Sequence, residues 1–186
     1  MIAALAFAQE SRVSGQELNL PFGPVTRLPS PDGLRVLYGV PYQRGVNDGP
    51  QLWIEDLRTH QRNQLLSISD TLGAMWSADG SAFAVLDHSA SDSATTYIYD
   101  ANTLRSLDVA GPILAADPGA TRFAEGHAYF DLERWETEER VTIRFHGHTD
   151  EPPVTCFDFR YRVSRVGAVE KLSGRVFPID KHKFCS

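Results

Sequence analysis

The residues with the clearest potential for chemistry are His146 and His148, with Asp150 two positions further along the chain. Residues two apart on a β-strand lie on the same face, so both imidazoles could reach one metal ion. A protein zinc site needs at least three side-chain ligands, and the sequence indicates no further ligand that would complete one here. We therefore interpret this segment as the solvated end of a hairpin, and we expect neither a metal site nor a cofactor.

A group of acidic residues surrounds Trp135. Its members are Glu133, Glu136, Glu138 and Glu139. Two carboxylates held close together can act as general acid and general base. A charged connection between two strands explains the group more simply, because such connections face solvent. We expect no catalytic role for these carboxylates.

A basic segment follows, with Arg160, Arg162 and Arg165 beside Tyr161. Strand alternation places Arg160 and Arg162 on one face. Like charges of this kind block aggregation at the edge of a sheet, and a patch of arginines can also meet an acidic partner. Of these two interpretations we favour the edge strand.

The composition and the missing motifs exclude several classes of function. The 186 residues are 42% hydrophobic and 23% charged, as in ordinary globular domains. The sequence has no GxSxG elbow, Walker loop, GxGxxG, HExxH or CxxC motif, which argues against an enzyme. A net charge of -6 disfavours nucleic acid and anionic membranes as partners. No apolar run approaches the ~20 residues of a membrane span, so we expect no membrane insertion.

Both ends of the chain indicate export. The apolar run at residues 1–8 ends in a small-x-small site at Ala6 and Ala8, like the second half of a secretory signal peptide without its basic region. Either the reading frame begins further upstream or the segment is an apolar terminus. The two cysteines, Cys156 and Cys185, can pair without a remainder in an exported protein, whereas in the cytosol they would be free thiols. We predict this disulfide and a periplasmic or secreted protein.

Comparison of the chain with itself reveals an internal repeat. The motif S-P-D-G at residues 30–33 precedes an apolar run, and S-A-D-G at residues 77–80 precedes another 47 positions later. The segment L-W-I-E-D at residues 52–56 matches T-Y-I-Y-D at residues 96–100, offset by 44. Proline and glycine in the turns reverse the chain, and the alternating aromatic and β-branched residues suit strands. A period in the mid-forties predicts the blades of a propeller or a similar β array.

A third copy is degenerate. Residues 117–119 replace the turn, and residues 128–132, 141–145 and 156–162 read as strands. A hairpin at residues 164–167 leads to an outer strand at 168–172, and residues 175–177 could begin a further strand. We divide the chain into a signal-peptide-like remnant and N-terminal arm (1–24), one β-repeat domain (25–180) and a C-terminal tail (181–186).

On these turns and strands the chain resembles the TolB-type and WD-repeat-like β-propeller families, well over residues 25–110 and loosely over 111–172. The resemblance implies an all-β fold of antiparallel blade-like repeats, a partial or small propeller; the alternative is a β-sandwich. Closed propellers use at least four blades, and two good repeats with one poor one are too few. An irregular fourth blade, an open array, a fragment or a second copy that completes the ring would each account for this. An interface at the first or last sheet is therefore expected.

Two segments at equivalent positions of the repeats, residues 42–49 and 87–94, read as loops longer than a tight hairpin requires. Ligand-binding residues concentrate in such loops. The candidate recognition residues are Tyr42, Arg44, Asp48, His88 and Asp92.

We therefore expect a non-catalytic binding module, exported, that recognises another protein through inter-strand loops and sheet edges. A homo-oligomer through open edges is a further possibility. Two alternatives stay open: the non-catalytic propeller portion of a longer hydrolase or peptidase, and a periplasmic inhibitor or immunity-type protein.

Overall fold

A computed structural model describes residues 18–20, 26–45, 48–179 and 185, with only the backbone of 18–20. Most of the leader-like segment and most of the tail lie outside the described residues. The first sheet is antiparallel with the order β2-β3-β4-β5. Its strands are β2 (Arg27–Pro29), β3 (Arg35–Val40), β4 (Gln51–Asp56) and β5 (Arg62–Ser67).

The second sheet combines the second repeat with the third unit. Its first strands are β1 (Leu18–Leu20), β6 (Thr71–Trp76), β7 (Ala82–Ala90), β8 (Ser93–Asp100) and β9 (Ser106–Asp108). The third unit is a meander of β10 (His127–Thr137), β11 (Arg140–His148), β12 (Thr155–Ser164) and β13 (Val169–Pro178). The end of β8 pairs with β9, whereas its start pairs in parallel with β10 through Ser93 and Ala94. The two units therefore share one continuous sheet.

The repeated turns have the same geometry in both repeats. The Ser30 hydroxyl accepts a hydrogen bond from the N–H of Arg35 at 2.9 Å, and Ser77 accepts one from Ala82 at 3.0 Å. Each turn ends on a glycine with positive φ, +69° at Gly33 and +73° at Gly80. Both turns feed the second strand of a blade, as the sequence predicts.

The repeated aspartates also act alike. Asp56 Oδ1 accepts hydrogen bonds from the backbone and side chain of Thr59 at 2.7 and 2.9 Å. Asp100 Oδ1 accepts the corresponding pair from Thr103 at 2.8 and 3.0 Å. Each carboxylate thus organises the hairpin to the last strand of its blade.

One hydrophobic core fills the space between the first sheet and β6–β8. It contains Leu37, Leu52, Trp76, Phe83 and Tyr99, all buried. The Phe83 and Tyr99 rings stack with centroids 4.9 Å apart, and the Trp76 indole donates to the carbonyl of Leu28 at 3.0 Å. Packing between neighbouring blades therefore stabilises the repeats, because neither sheet buries this face alone.

A second core lies under the third unit. A short helix α1 (Ala110–Ala116) and a 3-10 helix (Pro118–Phe123) cover one face of β10–β13, and Ile113 and Phe123 pack on its aromatic side chains. The prediction of a simple turn at residues 117–119 is wrong. Pro112 lies in the first turn of α1, where proline is tolerated, so it does not prevent the helix.

The last strand is also longer than predicted. Strand β13 runs through residues 169–178 and pairs with β12 on both sides of a bulge at Leu172, so the predicted separate strand at 175–177 is part of β13. The hairpin at residues 164–167 is present, with the N–H of Gly167 bonded to the carbonyl of Ser164 at 2.9 Å. Neither helix in the described part of the chain has the length and apolar character to cross a bilayer.

Candidate functional site

The first group of predicted recognition residues lies on the connection from β3 to β4. Tyr42, Arg44 and Asp48 are all exposed there, and the Tyr42 side chain is 55% accessible to solvent. A long loop is therefore present at this position, as predicted. Large exposed aromatic side chains of this kind are common in protein-binding surfaces.

The second group lies in a different environment. Residues 87–94 are not a long loop, because β7 and β8 extend until Ala90 pairs with Ser93. His88 is a half-buried strand residue, and Asp92 is one of two exposed residues in the tight turn. The carbonyl of Asp92 accepts the N–H of Ala128 at 3.1 Å, where β10 joins the sheet. The prediction of two equivalent long loops is therefore wrong for the second repeat.

The arginine segment is not a sheet edge. Strand β12 lies between β11 and β13. The two arginines of β12 and Arg165 in the hairpin after it pair with the acidic group around Trp135. The pairs are Glu133 with Arg160, Glu136 with Arg162, and Glu139 with Arg165. The edge interpretation fails because β12 pairs with β11 on one side and with β13 on the other, and the acidic residues of β10 and its turn neutralise the arginines.

These pairs do not have the electrostatics of a general acid. Hydrogen bonds from Arg162 and Thr142 lower the pKa of Glu136. Asp158 is only 5% exposed; although burial opposes its ionisation, hydrogen bonds from Arg144 and Arg175 lower its pKa. A carboxyl group that donates a proton near neutral pH needs a raised pKa. This ion-pair network therefore stabilises the sheet in its charged form.

The histidines divide into two separate sites. His146 Nε2 lies 2.8 Å from Asp131 Oδ2, whereas the Oδ1 atom of Asp131 is buried without a hydrogen-bond partner. His148 instead faces His127, and their ring centroids are 4.2 Å apart. His127 Nδ1 lies 2.8 Å from Asp150 Oδ1, and His148 Nδ1 lies 3.7 Å from the same oxygen.

His127 is not among the residues predicted from the sequence. The predicted ligands lie along one strand, whereas the third residue comes from the neighbouring strand, directly opposite His148. If the residues of the two strands are paired one by one outward from the turn at Glu138 and Glu139, His127 falls close to the position opposite His148. Two irregularities in the β10–β11 pairing shift the register and obscure that signal.

Two glycines permit the close approach of the strands beside this cluster. A Cβ atom on Gly147 would lie 1.8 Å from the carbonyl oxygen of His127, and one on Gly126 would lie 2.6 Å from that of His148. No other residue type fits at Gly147 without a shift of the backbone. The cluster borders an open cavity of about 740 Å³. Its lining includes Arg122, Glu125, Asp150, Glu151 and Val176.

The last strand is exposed along most of its length. Among the described strands, β13 is at the end of the second sheet, and eight of its ten residues are exposed. Leu172 and Val176 are 38% and 44% exposed, and Ile179 just beyond the strand is 38% exposed. The interface that the sequence predicts at the first or last sheet stays a prediction, and β13 is the strand of the last sheet that could form it.

No protein-family model matches this sequence, and no curated protein matches it. Solved structures do match its fold. The β-propeller domain of the trilobed protease from Pyrococcus furiosus, described as having an open velcro topology, covers 80% of this chain with a TM-score of 0.52 at 15% identity. The match extends over 43% of that chain.

Two further structures align less well. The acylaminoacyl peptidase of Pyrococcus horikoshii covers 78% of this chain and 23% of its own, with 13% identity and a TM-score of 0.44. TolB from Acinetobacter baumannii covers 83% of this chain and 43% of its own, with 16% identity and a TM-score of 0.35. The chain thus spans less than half the length of each solved chain described here.

The fold is therefore of the β-propeller type, which confirms the prediction of blade-like antiparallel repeats over that of a sandwich. Within the residues that the structure describes, the sheets do not close into a ring.

Proposed function

We propose that this chain is an exported, non-catalytic binding module that recognises another protein through the open edge of β13. The observation that carries the proposal is a ten-residue strand at a sheet edge with apolar side chains in solvent. An extended segment of a partner can add to such an edge through main-chain hydrogen bonds, and pockets for its side chains then supply specificity. The loop with Tyr42, Arg44 and Asp48 offers a second recognition surface.

Every charged side chain of β13 has a partner within the chain. Proteins commonly place lysines and other charged residues on an edge strand to prevent pairing. In β13, Glu170 pairs with Arg162 at 2.6 Å, Lys171 with Asp117 at 2.7 Å, and Arg175 with Asp158 at 3.1 Å, although these three side chains stay 46–63% exposed. The apolar residues Leu172 and Val176 are adjacent to these charges in the strand. In this proposal they are the ones that meet apolar side chains of the partner strand.

The disulfide supports an exported location for this module. Cys156 on β12 is bonded to Cys185, and their Cα atoms are 5.5 Å apart. Disulfides persist in the periplasm and outside the cell but are rare in the reducing cytosol. The signal-like segment at residues 1–11, which lies outside the described residues, is consistent with the same location.

Site-specific crosslinking tests the proposal. A photo-reactive amino acid at Val176, introduced into the full chain in the cells that express it, is expected to capture another protein. Leu172→Glu or Val176→Glu should abolish the complex, because either change places a charge in the apolar contact. The matched control is Val166→Glu, at an apolar residue 89% exposed in the hairpin before β13; this variant should bind normally.

Hydrogen exchange gives the decisive readout. The amides of β13 should gain protection when the captured partner is added to the purified chain. Protection confined to the β3–β4 loop would contradict recognition by the edge. A crosslink only to a second copy of this chain would make β13 a dimer interface and overturn the proposal of a different partner.

The partial coverage of the protease propeller favours a second candidate function, in which this chain is the non-catalytic propeller portion of a longer hydrolase or peptidase. The DNA that flanks the coding sequence tests this directly. A continuous reading frame into a catalytic domain would establish it, and stop codons in frame on both sides would exclude it.

A further inference from the structure

We propose that His127, His148 and Asp150 form a binding site for a divalent zinc ion at the open end of the β10–β11 hairpin, opposite its turn. Each residue offers one ligand atom, and these atoms all lie within 4.8 Å of one another. In a tetrahedral zinc site with bonds of about 2.0–2.2 Å, neighbouring ligand atoms are about 3.3–3.6 Å apart. The ligand atoms are therefore close to the required spacing, and the two stacked rings, 24° apart in plane, must turn about their side-chain bonds so that each directs a nitrogen at the same ion.

The sheet places the two histidines side by side before any ion binds. His127 and His148 are opposite each other in the antiparallel pairing of β10 with β11, and their rings stack at 4.2 Å. Gly126 and Gly147 permit the close backbone approach on either side of this pair. Ligands on paired strands lose little conformational freedom when a metal binds, which favours affinity.

The donor set determines the class of metal. Two imidazole nitrogens and one carboxylate oxygen suit zinc, with a fourth position left for water or for a group from a bound molecule. The bordering cavity contains Glu125 and Glu151, which add negative charge, and Arg122, which opposes a cation. The Arg122 guanidinium lies over the Phe123 ring, 4.5 Å from its centroid.

Among the described residues, the other histidine–carboxylate contacts lack a second imidazole. His146 contacts Asp131, and His60 Nδ1 lies 3.4 Å from Glu55 Oε1. In the part of the chain that the structure describes, His127, His148 and Asp150 are the one set of three histidine, cysteine or acidic residues whose ligand atoms lie this close together, within 4.8 Å. His60 therefore provides a matched control, because it is exposed and pairs with a carboxylate but has no neighbouring histidine.

Titration calorimetry with zinc chloride on the purified full chain tests the site. We expect one zinc ion per chain, and at least a tenfold loss of affinity in His127→Ala, His148→Ala and Asp150→Asn, because each change removes a ligand. His60→Gln should bind zinc as the unmodified chain does. Substitution with cobalt(II) should give the visible absorption of a tetrahedral site, and His148→Ala should abolish it.

Three outcomes would overturn the proposal: no binding of zinc, undiminished binding in the His127 and His148 variants, or one zinc ion shared between two chains in light scattering. Circular dichroism establishes whether each variant is folded, and Asp150→Asn, in a loop, provides a ligand change outside the strands. Zinc binding and capture of a protein by β13 are measured separately, so failure of one leaves the other standing.

Discussion

Arg165 and Asp100 join the two halves of the second sheet: a guanidinium nitrogen of Arg165 donates to the Asp100 carboxylate at 2.6 Å. Arg165 lies in the hairpin between β12 and β13, and Asp100 ends β8 in the second repeat. A second nitrogen of Arg165 donates to the Ser81 hydroxyl at 3.0 Å. The irregular third unit is thus fixed to the turns that define the regular repeat.

Loss of this link should destabilise the chain measurably. Arg165→Ala removes a largely buried guanidinium and leaves Asp100 without its cation, so we expect the free energy of unfolding to fall by about 1–3 kcal/mol. For a chain of this size that lowers Tm by roughly 2–4 °C per kcal/mol. Thermal unfolding by circular dichroism measures the change. The exposed Arg105→Ala is the control, and an equal effect from it would contradict a specific role for Arg165.

The regular repeats were predictable because their signals are local. Ser30 and Ser77 each bond to a residue five positions ahead, so the turn is encoded in one short motif. The third unit depends on pairing between distant segments, since β10 joins β8 across more than thirty residues. Helix α1 has seven residues and contains Gly111 and Pro112, which are poor helix formers, so its sequence does not indicate a helix.

The candidate sites also divide into features that the sequence indicates directly and features that depend on how the strands pair. Cys156 and Cys185 could be paired from composition alone, because there were only two cysteines. His127 could not be found, since two register shifts separate the real pairing from a simple count. The arginines of β12 could have been placed, because the predicted hairpin at residues 164–167 and outer strand at 168–172 already put a paired strand beside Arg162.

The two repeat serines should contribute equally to stability. Ser30→Ala and Ser77→Ala each leave a backbone N–H, half-buried at Arg35 and buried at Ala82, without its hydroxyl acceptor, which costs about 1–3 kcal/mol. Both variants should therefore lower the midpoint of urea unfolding by similar amounts. Exposed Ser69→Ala should have little effect. If one serine could be replaced without loss, the two turns would not be energetically equivalent.

Asp87 should make the folded chain less stable at neutral pH. Burial raises the pKa of its carboxyl group above the usual 3.8, and its Oδ1 atom is buried without a partner. The folded state thus binds this proton more tightly than the unfolded state does. The favourable contribution is present below the unfolded pKa and disappears as pH rises through the folded value.

Asp87→Asn should therefore raise Tm at pH 7, because the uncharged amide avoids the cost of burying a charge. The gain should shrink as pH falls toward 4, where the carboxyl group of the unmodified chain becomes protonated. Melting curves of both proteins between pH 4 and 7 measure this. Asp48→Asn removes an exposed carboxylate from a loop and is the matched control for the change of residue type. A difference in Tm that is independent of pH would refute the assignment to Asp87.

Reduction of the disulfide should weaken the fold at its open edge. Cys156 is buried in β12, and its bond to Cys185 closes a loop that contains β13, with a sequence separation of 29. In the chain-entropy model, a loop of this length stabilises by about 3–4 kcal/mol. Thermal unfolding with and without a phosphine reductant should therefore show a lower Tm in the reduced chain. The double variant Cys156→Ala/Cys185→Ala should not respond to the reductant.

If unreduced protein from the exported fraction labels as two free thiols, the bond does not form in the cell. A reduced chain that melts at the same temperature would show that the bond does not stabilise β13, which would then be held by its pairing with β12 and by its ion pairs to Arg162, Asp117 and Asp158.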